Sequence, residues 1–138
     1  MQYLFRGKRK DNGEWIYGSL LQWPNGEMEI VVFDGGTTAS KYNVIPETVG
    51  TYIDRNDKEY KQIFTGDILS LRIGGVDYIT VVKWNNGNSK FEATYVGPEG
   101  EWIDNGLIVD IGQLSCYPII GNIHDNPELV NPTAKEQL

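Results

Sequence analysis

Four cations crowd the first arm of the chain. Arg6, Lys8, Arg9 and Lys10 place four of the 12 basic residues within five positions. On an extended strand alternate side chains share a face, so Arg6, Lys8 and Lys10 would line up together. Three cations in a row can contact phosphates, and such binding would weaken with salt. Lysines also protect exposed strand edges against aggregation, and that is the preferred expectation here. Five aromatics form the second feature: Trp15, Tyr17, Trp23, Trp84 and Trp102. Aromatic grooves on small barrels bind extended peptides, and rings presented by strands stack on bases. Most such rings fill a core, because large aromatics dominate burial. One or two exposed rings suffice for a partner site. Arg6, Lys8, Lys10 and Trp84 are the candidate binding residues.

Other chemistry fails on residue type or spacing. One histidine and one cysteine cannot supply the three or four His/Cys ligands of a usual zinc site. An EF-hand alignment starting at Asp54 puts Lys58 at position five, Glu59 where glycine is needed, and Thr65 where the bidentate acid belongs. Nucleophilic catalysis would need Cys116 or a serine beside His124 as base. The block around His124 reads instead as a structural turn, and Cys116 reads as a small buried hydrophobe beside Tyr117 and Pro118. Asp34-Gly35-Gly36-Thr37-Thr38 resembles a phosphate-binding turn, but no lysine follows at P-loop spacing. Glu99, Glu101, Asp104 and Asp110 lie near one another in sequence, which fits a solvated loop better than a paired-carboxylate site. The sequence therefore predicts no catalytic residue, no metal and no cofactor.

A single cysteine rules out a disulfide within these 138 residues, which fits a cytosolic setting. No run of about 18 apolar residues is present to cross a membrane as a helix. Met1–Arg6 lacks the basic-then-apolar order of a secretory signal. The net charge of −7 is unevenly placed. Residues 1–90 carry 11 basic and 11 acidic side chains, whereas residues 91–134 carry seven acids and no lysine or arginine. This balance disfavours general nucleic-acid binding. An acidic surface can serve a partner, although solubility alone explains it.

The elements that must position these residues read as β-strands. Runs at Tyr3–Arg9, Glu14–Gln22 and Glu27–Phe33 are separated by Asp11-Asn12-Gly13 and Pro24-Asn25-Gly26. Asn-Gly pairs tolerate the positive φ of hairpin turns. Residues 37–46 are a loop by composition. Glu47–Ile53 reads as a short strand, and Asp54–Lys61 as an exposed turn or a single helical turn. Ile68–Ile73, Val76–Trp84 and Ser89–Val96, separated by Gly74-Gly75 and Asn85–Asn88, form a bent meander of the kind found in small SH3-like barrels. Trp102–Ile103, Leu107–Ile111 and Pro118–Ile123 are further short strands. Only Ile111–Leu114 and Pro127–Val130 suit a helical turn. The fold class is mainly β: a hairpin-rich N-terminal half plus an SH3-like small barrel in the C-terminal half. The expected organisation is a β-hairpin subdomain over residues 1–60, a barrel subdomain over 61–130 and a flexible tail over 131–138, or else one compact domain.

Several blocks are similar to a known family. They are Phe5-Arg6-Gly7-Lys8, Gly13-Glu14-Trp15-Ile16-Tyr17-Gly18, Val44-Ile45-Pro46-Glu47-Thr48-Val49-Gly50, Ile63-Phe64-Thr65-Gly66-Asp67-Ile68-Leu69 and Val81-Val82-Lys83-Trp84. Near the end stands Ile120-Gly121-Asn122-Ile123-His124-Asp125-Asn126-Pro127-Glu128-Leu129. In order and spacing the chain resembles the YopX family of phage and prophage proteins over about residues 5–130. The resemblance implies a phage or prophage origin, a bacterial cytoplasm and a β-rich fold with an SH3-like component. It implies no enzyme activity and supplies no functional residues. The connecting loop departs from the family pattern, which usually carries an Asp-Lys-Asn-Gly turn. Here it runs Ile53-Asp54-Arg55-Asn56-Asp57-Lys58-Glu59-Tyr60, without the glycine.

The expected function is a non-catalytic protein-interaction module acting on a host or phage protein in the bacterial cytoplasm. The alternative is a nucleic-acid-binding accessory protein using the basic N-terminal hairpin. No membrane association is expected, and pairing between hairpin edges would give a homo-oligomer.

Overall fold

Alternating apolar residues and glycine-centred turns build a chain of antiparallel strands. A computed structural model describes residues 3–96 and 108–130. It is mainly β, and its chain divides into two units between Tyr52 and Ile53.

The first unit contains β1 (Phe5–Lys8), β2 (Trp15–Gln22), β3 (Met28–Phe33) and β4 (Ala39–Val44), hydrogen-bonded in the order β4-β3-β2-β1. Both Asn-Gly turns behave as their sequence requires. Gly13 and Gly26 sit at φ 73° and 92°, and the Asn12 and Asn25 side chains accept the amides of Glu14 and Glu27. β4 is a correction, because residues 37–46 read as a loop. Asp34-Gly35-Gly36 closes a β3–β4 hairpin, with Asp34 Oδ1 accepting the Gly36 amide at 2.9 Å. Strand β4 is exposed over Ala39, Ser40, Lys41 and Asn43, so it carries none of the apolar alternation that marks a half-buried strand.

β1 is an interior strand. It pairs with β2 on one side, and Phe5 and Arg6 face Thr51 and Gly50 of β5 (Gly50–Asn56) on the other. The edge-protecting role expected of its cations therefore does not apply; the second partner arrives about 45 residues later in sequence. Beyond β1, Arg9 bridges to Val44, the Lys10 amide donates to the Asn43 carbonyl at 2.9 Å, and the Ile45 amide donates to the Lys8 carbonyl at 2.8 Å. β4, the outermost strand, thus reaches back to the residue after β1 at a single bridge. Val44 is fully buried there, its Cβ 3.0 Å from where a side chain on Gly7 would begin.

In the second unit the remainder of β5 neighbours β6 (Gln62–Phe64). β7 (Asp67–Ile73), β8 (Val76–Asn85), β9 (Lys90–Tyr95), β10 (Ile108–Asp110) and β11 (Ile119–Asn122) form a sheet ordered β10-β9-β8-β7-β11. Among the described residues no pairing joins β10 to β11, and no closed barrel is present. Ile53, Ile63, Leu69, Leu71, Val82, Ala93 and Leu114 pack one core, and Ile68, Val81 and Val96 pack another. The bend before β7 uses Gly66 at φ 93°, with the buried Asp67 carboxylate accepting the Phe64 amide at 2.8 Å. A two-turn 3₁₀ helix occupies Ile111–Cys116, a single 3₁₀ turn occupies Pro127–Leu129, and another, at Pro46–Thr48, precedes β5. Proline at the first position presets φ for the latter two. The expected strand at Trp102–Ile103 and the tail after residue 130 lie outside the described residues.

The loop that departs from the family pattern adopts the conformation a glycine would favour. Tyr60 sits at φ 65° with its side chain 87% exposed, and its amide donates to the Asp57 carbonyl at 3.0 Å. Left-handed backbone costs an L-residue about 1 kcal/mol or more, and an exposed ring recovers little by burial. Tyr60→Gly is expected to stabilise the protein by about 0.5–1 kcal/mol, part of the relief being offset by the greater unfolded-state entropy of glycine. Tyr60→Ala, which keeps the strain, should leave stability nearly unchanged. Urea unfolding midpoints of the two variants check this, and equal midpoints would remove the strain argument.

Candidate functional site

The basic arm splits into two environments. Arg6 is 6% exposed, and its guanidinium lies 4.7 Å from the centre of the Trp15 ring, with Lys8 Nζ at 5.5 Å over the same ring. Both cations reach Trp15 because Lys8 and Trp15 are direct partners across β1 and β2. A cation held over an aromatic face is attracted by the ring quadrupole. This arrangement buries Arg6 in the sheet and leaves little of it for a phosphate. Lys10 is not on the shared face expected of it. β1 ends at Lys8, and Lys10 lies exposed in the following turn.

There Lys10 joins residues that sequence spacing did not connect. Arg9, Lys10, Asp11, Lys41, Tyr42 and Asn43 line an open cleft of about 480 Å³. β4 brings Lys41 and Tyr42 to the arm through the Arg9–Val44 bridge. Arg9 donates from Nε to Asp11 Oδ1 at 2.9 Å and from Nη2 to Asp11 Oδ2 at 2.6 Å, a bidentate pair. Its guanidinium also stacks 4.5 Å from the Tyr42 ring centre. The hydrogen bond with Arg9 holds the Asp11 carboxyl below its usual range and raises the already high value of Arg9. The pair is solvent-exposed, so its value lies in holding Arg9 in place more than in stability. Chemically the cleft can accept an anion on Lys10 and Lys41.

A second depression in the first unit is apolar. Tyr3, Leu4, Val31, Val32 and Phe33, with Gly18 and Ser19, line a cleft of about 90 Å³. Leu4 and Phe33 are 56% and 55% exposed. No charged residue lines it. Such convergence of exposed apolar side chains suits the side chain of a partner protein.

Trp84 stands on β8 in the second unit, 47% exposed, with its Nε1 donating to Asn86 Oδ1 at 2.7 Å. The Phe91 ring supports it edge-on at 4.9 Å between centres. Trp23 is similarly half-exposed and donates to Glu29 Oε1 at 2.6 Å. Trp102 lies outside the described residues.

The residues weighed for catalysis sit in structural settings. Asn122 Oδ1 accepts the His124 and Asp125 amides at 3.0 and 2.9 Å, and the Asn126 amide donates to the Asn122 carbonyl at 2.8 Å, closing the turn. Cys116 is exposed at the end of a 3₁₀ helix, which corrects the expectation of burial. The 3₁₀ helix buries Leu114 instead and directs the thiol outward. Among the described residues no group of three or more His, Cys, Asp or Glu could hold a metal ion. Glu99, Glu101, Asp104 and the Asp110 side chain lie outside the described residues. No helix among the described residues is long and apolar enough to cross a membrane.

The sequence model of the family described as YopX protein matches residues 4–131. No curated protein matches the chain. Among solved structures, the crystal structure of protein EF1440 from Enterococcus faecalis is similar, with a TM-score of 0.56 and 19% identity. The match covers 95% of this chain and 99% of that one. At this identity the likeness concerns the fold.

Proposed function

The chain belongs to the YopX family, and from that premise we propose that it is a phage- or prophage-encoded, non-catalytic protein-interaction module of the bacterial cytoplasm. The observation that carries this reading is the apolar cleft of the first unit. Leu4 and Phe33, each more than half exposed, face a depression that no charged side chain enters. Exposing large apolar groups gains nothing for a free chain in water, and filling the cleft with a partner side chain removes that surface from solvent. The SH3-like character expected of the second unit belongs to the same proposal. It is supported by the β7–β8–β9 meander, with the short strands β10 and β11 at its margins.

An affinity capture from bacterial host lysate, with and without nuclease and read by mass spectrometry, tests the reading. The expected outcome is a protein retained through nuclease treatment and lost when Leu4→Glu and Phe33→Glu are combined. Equal unfolding midpoints would show that the double variant still folds. Retention unaffected by those changes would remove the apolar cleft from the proposal. Capture that disappears with nuclease would favour the nucleic-acid alternative. In that case Lys8 and Lys10 would carry the phosphate contacts, since Arg6 is buried against Trp15.

A further inference from the structure

We propose that the outer edge of β4, together with the cleft beside it, binds an extended acidic peptide by strand addition. This extends the interaction-module reading to a second surface and shares no residue with the apolar cleft, so the two can fail separately.

The backbone makes the first part of the case. The Lys10 amide donates to the Asn43 carbonyl, and the Ile45 amide donates to the Lys8 carbonyl. The polar backbone groups of Asn43 and Ile45 therefore point away from β3. Alternation along an antiparallel strand turns those of Lys41 and Ala39 the same way. β4 is the last strand in its sheet, and the bridge to Arg9 covers only its C-terminal end. The remainder is a row of backbone donors and acceptors facing outward, the feature that strand-adding peptides complete.

Charge selects the occupant. The neighbouring cleft carries Arg9, Lys10 and Lys41 against the single carboxylate of Asp11. This local excess of cations stands on a chain whose net charge is −7. A peptide laid along β4 would bring alternate side chains past Lys41 and Lys10, where carboxylates are favoured and cations repelled. Two β4 strands from separate copies would set these cations against one another, which disfavours a second copy as occupant. A nucleic-acid strand fits less well, because Arg9 already covers the Tyr42 ring face and an outward backbone edge offers nothing specific to a base.

The test uses the full chain and a fluorescein-labelled ten-residue peptide of alternating Glu and Val, read by anisotropy. Binding is expected with a Kd on the order of 10–100 µM. It should weaken about fivefold between about 50 and 300 mM salt, as screening of exposed charges requires. Lys10→Glu combined with Lys41→Glu should weaken it about tenfold or more, with the unfolding midpoint unchanged. Leu4→Glu with Phe33→Glu should leave it intact. A peptide of the same charge, N-methylated along one edge, should not bind, and the Lys41 amide should exchange more slowly in the complex. The proposal is overturned if the acidic peptide does not bind at low salt, or if the N-methylated peptide binds equally well. Tighter binding of a ten-nucleotide oligo-dT would assign the cleft to nucleic acid instead. Dimerisation through β4 that excludes the peptide would assign it to a second copy.

Discussion

Replacing Asp57 with alanine is expected to destabilise the second unit by about 2–4 kcal/mol. Asp57 is 3% exposed although it stands in a stretch of six charged residues among eight. Its carboxylate is fully used. Oδ1 accepts the amides of Glu59 and Lys61 at 2.9 and 2.8 Å, which shapes the turn after β5. Oδ2 accepts the Ile119 amide at 3.0 Å, tying that turn to the start of β11, 62 residues away. The Lys58 amide donates to the Tyr117 carbonyl beside it, so the two segments are joined twice. Bonds from backbone amides to a carboxylate are charge-assisted and stronger than neutral ones. Alanine would leave three amides without this acceptor; Glu59 and Lys61 are exposed, so water can partly replace it there, whereas the half-buried Ile119 amide bears more of the penalty of about 1–3 kcal/mol for an unmet donor. Asp57→Asn separates the local and long-range parts. An amide oxygen can still take the two turn amides, while its nitrogen would face the Ile119 donor, so an intermediate cost of about 1–3 kcal/mol is expected. Urea unfolding gives the order wild type, Asn, Ala. Hydrogen exchange adds the location, with the Ile119 amide losing more protection than Lys61 in the Asn variant. If alanine cost less than about 1 kcal/mol, the carboxylate would not organise this junction.

Asp57 also shows which parts of the structure the sequence can announce. The turns at Gly13, Gly26 and Gly74-Gly75 were legible because local residue chemistry determines them: only residues tolerant of positive φ serve there. The strands they join follow within a residue or two. β4 was not legible, because an exposed strand needs no apolar periodicity and its polar residues read as loop. Burial of Arg6 depends on the cross-strand placement of Trp15 and on β5 as second neighbour, neither of which a run of basic residues reveals. Lys10 and Lys41 meet through a bridge between residues 35 apart in sequence. The signal available for it was slight, a lone lysine and tyrosine in a polar stretch after a glycine turn. The charge-rich loop around Asp57 looked solvated because its long-range acceptor role leaves no mark on composition.

Gly18→Ala is expected to cost the first unit about 3 kcal/mol, though it adds only one methyl group. A Cβ at this position would lie 2.2 Å from the Val31 carbonyl oxygen, far inside contact distance, and 3.1 Å from Ile30 Cγ2. The first of these is backbone within β3, so it cannot swing aside as a flexible side chain would. Gly18 faces Phe5 of β1, and the next residue, Ser19, begins the register with Val31 of β3. Relieving the clash would therefore displace β3 against β2 at the point where β2 passes from one partner to the other. Ile30 is fully buried, so movement there also loosens the small core of this unit. Gly36→Ala in the same unit is the control. Its added Cβ would meet only Asp34 Oδ1 at 3.5 Å, in ordinary contact, at a φ that alanine tolerates. That change should stay within about 0.5 kcal/mol of wild type. Thermal and urea unfolding of the two variants give a direct comparison of the same chemical step in two settings. Equal small effects would mean that β2 and β3 can part at Gly18 without loss, and that the glycine is not required by their close approach. A large loss confined to Gly18→Ala would show that β2 and β3 require this close approach, beside the apolar cleft that Gly18 and Phe33 both line.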